Sequence, residues 1–180
     1  MAKVILQDVI CSYVYVDKPR ETNDGIGSKY SMQIIVPKNS PAVAKIQEAV
    51  KKVAIEKFGE KVKLGSLKLP LRDGDAEREG KEYENCYFLN ANSSRRPGIV
   101  NRHNEIADPD DIAEYCYSGA TFHVSVNFFA YDFNGTKGVG VGLNNIMLRK
   151  KTPRLDGTAS AEDEFAQFKS DDDDDDDMFN

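Results

Sequence analysis

The chain predicts a mainly β fold with one substantial helix, and three observations predict it. Segments rich in β-branched and aromatic residues recur through its 180 residues. Asn134-Gly135 stands between two such segments, a strong hairpin signal. The clearest helical stripe is confined to residues 41–58.

The first predicted strand covers 4–16 (VILQDVICSYVYV), and a polar stretch separates it from a second over 29–36. The helix follows. Ser40 is a good N-cap, and Pro41 takes the first helical position, where its missing N–H costs nothing. Val43, Ile46, Val50 and Val53 recur at spacings of three and four, and Gly59 stops the helix near Phe58. Residues 60–82 mix opposite charges and read as a solvated excursion. The spacing of Asp73, Asp75, Glu77 and Glu84 faintly suggests a calcium loop, but Arg78 stands where the sharp turn requires glycine. Strands are predicted again over 83–91 and 98–102, and Asp108-Pro109 opens a helical turn through Tyr115.

The strongest β pattern is 121–133 and then 138–148, joined at Asn134-Gly135. Phe122, Val124, Val126 and Phe128 alternate toward a core. His123, Ser125 and Asn127 take the other face, which Phe129, Tyr131 and Phe133 continue. Either a bulge flips the register near Phe128 or these aromatics point outward. Opposite them, Gly138, Gly140 and Gly142 alternate with Val139, Val141 and Leu143, so one face is bare backbone that something can approach closely. Thr152-Pro153 ends the body. Residues 160–163 resemble a capping box for a short helix with Phe165 and Phe168 on one side. This order of elements suits an OB-type barrel with insertions, one choice among several small mixed barrels and sandwiches.

Charge is distributed unevenly. From Ala161 onward ten acidic residues face one basic residue, a balance of −9, whereas residues 1–160 carry 23 basic and 20 acidic residues, or +3. A mildly basic body with a strongly acidic tail is a common layout among proteins that handle nucleic acid. The run Asp171, Asp172, Asp173, Asp174, Asp175, Asp176 and Asp177 cannot bury anything and is expected to be disordered. It serves either as a solvated solubility tail or as a polyanion that occupies the basic surface. No apolar stretch reaches the roughly 18 residues of a membrane helix, and the N-terminus does not read as a signal peptide. Cys11, Cys86 and Cys116 are widely spaced and form no metal-ligand pattern with His103 or His123, so no metal, cofactor or disulfide is expected.

Catalysis finds no motif: there is no GxSxG, no P-loop and no histidine pair. Single-strand binding finds more. Aromatic platforms interleaved with cations hold unpaired bases and track phosphates, each stack giving about 1–3 kcal/mol. Tyr13 and Tyr15 share one face of the first strand. Tyr87 and Tyr131 lie on later strands. Arg95, Arg96 and Arg102 surround a Pro97-Gly98 turn, and Arg149, Lys150, Lys151 and Arg154 form a basic exit. Any one of these aromatics is as readily a core-rim residue as a platform; the set is more persuasive. No helix carries a basic base-reading face, because Glu48 and Glu56 lie among the lysines of 41–58.

Three blocks carry a resemblance: NANSSRRPGIV (90–100), YSGATFHVSVNFFAYDFNGTKGVGVGLNNI (117–146) and SAEDEF (160–165). Together with the aspartate tail they resemble bacteriophage-encoded single-stranded DNA-binding proteins, over nearly the whole chain. The resemblance implies an OB-type barrel that coats single strands in phage replication, recombination or repair. The tail is similar to those of bacterial and T7-like phage single-strand binders, which dock replication partners and compete with DNA. This one ends Phe179-Asn180 rather than on the aromatic itself.

The expectation is therefore an OB-type Greek-key barrel over 1–155 and an acidic tail over 156–180 with a short amphipathic segment. The function expected is non-enzymatic binding of single-stranded DNA with weak sequence preference, and of duplex DNA more weakly. Tyr13, Tyr15, Tyr87 and Tyr131 are the expected platforms. Arg95, Arg96, Arg102, Lys137, Arg149 and Lys150 are the expected phosphate contacts. Asp171 to Asp177 and Phe179 are expected to meet replication or recombination proteins. No membrane role is expected, a homodimer is left open, and the setting is the cytoplasm of an infected bacterial host.

Overall fold

Seven strands carry the fold in a computed structural model that describes residues 1–21, 27–155 and 161–170. They are β1 (Ala2–Glu21), β2 (Ser28–Pro37), β3 (Arg72–Asp73), β4 (Cys86–Ser93), β5 (Gly98–Val100), β6 (Thr121–Phe133) and β7 (Thr136–Lys150). The helices are α1 (Pro41–Phe58), α2 (Gly74–Glu77), α3 (Pro109–Tyr115) and α4 (Ala161–Glu164).

β1 is longer than the predicted 4–16 because it serves two partners in turn. Its first half pairs antiparallel with β6, and from Ile10 to Glu21 it pairs antiparallel with β2. One strand in two pairings must bend, and bulges supply the bend. The register shifts between Leu6 and Val9, where Asp8 has φ 49°, and again between Ser12 and Tyr15, where Tyr13 has φ 48°. β2 then pairs with β4 and β6 with β7, all antiparallel, and Asn92 of β4 meets Gly142 of β7 in parallel. This last pairing closes a five-stranded barrel, β1-β2-β4-β7-β6, of the OB type. β3 and β5 extend the sheet at its margins.

Alternation fills the barrel. Phe122, Val124, Val126 and Phe128 are each fully buried, together with Leu6, Ile34, Leu89 and Ile146. The register does not flip at Phe128. The irregularities in the hairpin lie between Thr121 and Phe122 and between Ser125 and Val126, where β7 spends extra residues at Arg149 and Asn144, so Phe129 and Tyr131 stay on the outer face opposite Gly140 and Gly138. Asn134 and Gly135 both adopt positive φ, as a two-residue turn compatible with strand twist requires.

α1 has the predicted limits. Ser40 Oγ accepts the Ala42 N–H at 3.1 Å, and the Gly59 N–H donates to the Ile55 carbonyl at 2.9 Å from a φ of 93°. Its buried stripe is Val43, Ile46, Val50 and Val53, widened by Ala49 and Ala54. The helix lies between β2 and β4 in sequence and packs across β1 and β6. Ile46 is fully buried, so truncating it to alanine should cost about 2–5 kcal/mol. Asp108 and Asp111 close a reciprocal capping box on α3.

Residues 60–82 are mostly exposed, as a solvated excursion should be, but they are anchored to the barrel. Leu67 and Gly74 are buried, as is Tyr83 just beyond, and Lys68 bonds through its backbone to both Lys137 and Val139 of β7 at 2.9 Å. Gly74 must be glycine, because a Cβ there would stand 2.6 Å from the Tyr83 carbonyl and 2.7 Å from that of Cys86. Three of the four carboxylates with calcium-like spacing are already engaged: Lys38 sits 2.8 Å from both Asp73 and Asp75, and Arg72 pairs with Glu77. Charged residues dominated the segment's composition and hid its few anchors. For the same reason the strand predicted from residue 83 begins at Cys86. Tyr83 instead ends a 3-10 turn, and its ring packs edge-on against Phe88. Beyond α4, Phe165 and Phe168 are exposed with ring centroids 6.5 Å apart. The capping residue Ser160, the aspartate run and Phe179 lie outside the described residues.

Candidate nucleic-acid interface

Period-two alternation also builds the outer face. Where Met32, Ile34, Leu89 and Ala91 point inward, Lys29, Ser31 and Gln33 of β2 and Asn90 and Asn92 of β4 take the opposite side. The register sets Ser31 beside Asn92 and Gln33 beside Asn90, giving a polar floor across two strands.

Over that floor runs a trough in two sections. One, of about 510 Å³, is walled by Lys29, Lys68, Arg72, Phe129 and Tyr131. The other, of about 660 Å³, is walled by Tyr13, Arg20 and Arg78. Both include Asn90 and Asn92, so the two sections are continuous. Among the described residues no carboxylate lines either section. Of the five cations, Arg72 is paired with Glu77 at 2.5 Å, Arg78 lies 4.8 Å from the Phe88 ring centre, and Arg20 lies 5.3 Å from that of Tyr15. Arg72 holds the Glu77 carboxyl below its usual range. Lys29 and Lys68 are exposed and have no salt-bridge partner among the described residues.

The glycines of β7 explain the aromatics. An added Cβ at Gly140 would stand 2.5 Å from the Phe129 ring, and one at Gly138 would stand 2.6 Å from the Tyr131 hydroxyl and from the Lys68 carbonyl. What approaches the bare backbone is the protein's own rings. Side chains on β7 would push those rings out of position.

Tyr13 reaches the trough from the second bulge of β1. Its φ of 48° lies in the left-handed region, which costs an L-residue about 1–2 kcal/mol, and strained positions of this kind collect at functional sites. Its backbone N–H is held by Ser118 Oγ at 3.0 Å, and its side chain is exposed.

Of the residues predicted from sequence, Tyr13 and Tyr131 thus meet in the trough. Arg95 is exposed just past Ser93 and Ser94, which line one end. Tyr15 and Arg96 line a separate cleft of about 490 Å³ between β1 and α3, where Arg96 is paired with Asp17 at 3.0 Å. Tyr87 has the inward parity of Leu89 and packs against the core, with Lys38 5.3 Å from its ring centre. Lys137 stands 5.6 Å from the centre of the Phe58 ring at the end of α1. Arg102 and Arg149 share a small hollow with Asp111 and Glu114, and Arg149 lies 3.4 Å from Asp8. Lys150 is exposed at the end of β7. The trough also holds Lys29, Lys68, Arg72, Arg20, Arg78, Asn90 and Asn92, which the sequence did not single out, and Phe129, which it placed on the outward aromatic face. The alternation in 29–36 and 88–92 carried the signal for the lysine and the amides. Lys68 and Arg72 sit in the segment read as solvent-exposed loop.

Comparison with known proteins agrees with this fold. The chain is 27% identical over 171 residues to protein p50 of Acyrthosiphon pisum secondary endosymbiont phage 1, covering 90% of this chain and 91% of that one. Its fold superposes with a TM-score of 0.71, at 26% identity, on the single-stranded DNA-binding protein from bacteriophage Enc34 in complex with ssDNA, covering 85% of this chain and 89% of that one. It shares its fold, at 15% identity and a TM-score of 0.59, with gp2.5, a single-stranded DNA-binding protein encoded by bacteriophage T7, over 89% of this chain and 98% of that one. The family described as Enterobacter phage Enc34, ssDNA-binding protein, matches residues 2–179, and the chain belongs to that family.

Proposed function

We propose that this protein binds single-stranded DNA in the trough, without catalysis and with weak sequence preference. The observation that carries the proposal is one continuous channel, open to solvent, that combines exposed cations and aromatic rings over a polar floor free of carboxylates. Phe129, Tyr131 and Tyr13 stack on bases, and Lys29 and Lys68 pair with phosphates. Arg95 and the other predicted cations lengthen the path or serve the fold. The Enc34 relative, whose structure was solved with ssDNA, supports the same activity here. Duplex DNA binds more weakly, because a trough walled by stacking rings suits unpaired bases.

The role we assign is in phage replication, recombination or repair in an infected bacterial cell. The aspartates from Asp171 to Asp177 act as an internal competitor for the trough and, with Phe179, as a handle for partner proteins.

The test is a fluorescence-anisotropy titration of a labelled dT oligonucleotide against the full chain and a chain stopped at Ser170, at two salt concentrations with a duplex competitor. Truncation should tighten binding, most at low salt where charge competition is unscreened. Equal affinity of the two forms across salt would remove the tail's competitive role and leave DNA binding standing. Failure of both forms to bind would leave an acidic-tailed interaction protein as the function.

A further inference from the structure

At the centre of the trough a relay of buried polar groups fixes one exposed amide. Ser12, Tyr83 and Gln33 are 7%, 5% and 3% exposed. The Ser12 hydroxyl hydrogen-bonds to Tyr83, and the Tyr83 hydroxyl donates to Gln33 Oε1. Burial pushes the Tyr83 phenol up, so it stays a donor. With its oxygen occupied, Gln33 turns Nε2 toward β4 and donates to Asn90 Oδ1 at 3.2 Å. Asn90 is exposed and lines both sections of the trough. Its oxygen already accepts one hydrogen bond from below, and its Nδ2 donates to no protein group among the described residues, so its two N–H groups are left for whatever lies in the trough.

We infer that Asn90 is a specificity-determining residue that favours bases with carbonyl oxygens on their exposed edge, and that Tyr83 and Gln33 are its positioning residues. This rests on the trough being the single-strand site. Thymine offers two carbonyl oxygens. Cytosine replaces one of them with an amino group, which meets the amide N–H groups donor to donor. A neutral hydrogen bond of this kind changes affinity roughly two- to tenfold, a bias that leaves binding broadly tolerant of sequence.

The experiment compares dT and dC oligonucleotides of equal length on the full chain, reading the ratio of their affinities. Both are pyrimidines with one charge per nucleotide, so charge effects of a substitution cancel in the ratio. The wild type should prefer dT by about two- to tenfold. Asn90→Asp keeps the oxygen that Gln33 holds and turns an acceptor into the trough, so both affinities should fall and the preference should vanish or reverse. Tyr83→Phe, which releases Gln33, should bring the ratio toward one. A wild-type ratio within twofold of one, or a ratio unchanged in Asn90→Asp, overturns the assignment of Asn90 while leaving the trough intact. Absence of binding to either oligonucleotide by the wild type sinks the single-strand reading itself.

Discussion

Two concavities of nearly equal size open on the barrel, and their walls differ in charge balance. The trough section beside Phe129 measures about 510 Å³, and the cleft between β1 and α3 about 490 Å³. In the trough, Lys29 and Lys68 are exposed beside aromatic rings, and no carboxylate lines the wall among the described residues. In the cleft, Arg96 is held by Asp17, and Pro109, Ile112 and Ala113 form much of the opposite wall. Volume does not separate them, and Lys18 lines the cleft as an exposed cation too. The carboxylate on the wall separates them, Asp17 in the cleft and none in the trough among the described residues. An arginine already bonded to a carboxylate must give up that bond to meet a phosphate, and in water the exchange is nearly neutral. A lysine with no such partner gains the whole interaction, together with the counterions released from the DNA.

The largest expected effect tests the aromatic wall. Replacing Phe129 and Tyr131 together by alanine should remove two stacks of about 1–3 kcal/mol each, or roughly a thousandfold in dT affinity at the middle of that range. Phe128→Ala, one residue away on the inner face, should cost about 3–5 kcal/mol of stability and leave the affinity of the folded fraction near that of wild type. Thermal melts beside anisotropy titrations separate the two. If the outer pair loses only stability, the rings serve to cover the glycines of β7 and do not touch DNA.

Next in size is the cation contrast. Lys29→Ala with Lys68→Ala should lower the slope of log affinity against log salt by about 1.4, or about 0.7 for each phosphate contact. Arg96→Ala should lower it by less than either lysine alone, because Asp17 already neutralises that side chain. Any slope lost in an Arg95, Arg96 double substitution then belongs to Arg95. Equal slopes for the lysine and arginine variants would erase the distinction between the two concavities.

Why the sequence showed one concavity better than the other is itself physical. Elements fixed by local chemistry were legible: the Ser40 and Gly59 caps of α1, the Asp108 cap of α3, the Asn134-Gly135 turn and the limits of β6 all follow from residues within a few positions. So was barrel closure in outline, since alternation assigns each strand an inside. The trough was legible only in part because it is made across strands. Tyr13 and Tyr131 stood out as aromatics, but Asn90 and Gln33 gain meaning only when the register places them side by side. Lys68 reaches the site through backbone bonds to β7 that composition cannot show. Conversely, the conspicuous Arg96 and Arg149 are occupied by Asp17 and Asp8, which lie far from them in sequence. A count of cations does not reveal which are spent on the fold.

The smallest effect concerns a histidine on the outer face of β6, apart from both concavities. His123 Nδ1 accepts the Asp8 backbone N–H at 2.9 Å, and this bond braces the first bulge of β1, where Asp8 has φ 49°. Burial lowers the imidazole's pKa, and Arg149 adds to the effect against the opposing pull of the Asp8 carboxylate at 3.9 Å. Protonation at Nδ1 would also put a hydrogen where the ring now accepts one. With the folded pKa below the unfolded value of about 6.5, the unfolded chain takes up its proton first as pH falls. The contribution to stability is therefore complete above about pH 6.5 and is lost as pH falls through the lower folded value. Asp75 and Glu77 are held below their ordinary range by Lys38 and Arg72, so their own losses begin only below about pH 4.5. Between pH 7.5 and 5.5 the histidine thus acts almost alone. The melting temperature of the wild type should fall across that interval, and in His123→Gln, whose amide oxygen can accept the same N–H without titrating, the fall should be smaller. Because His123 lines neither section of the trough, dT affinity of the folded protein should stay level over the same interval. A parallel drop in affinity would mean that the bulge at Asp8 and the bulge that presents Tyr13 move together along β1.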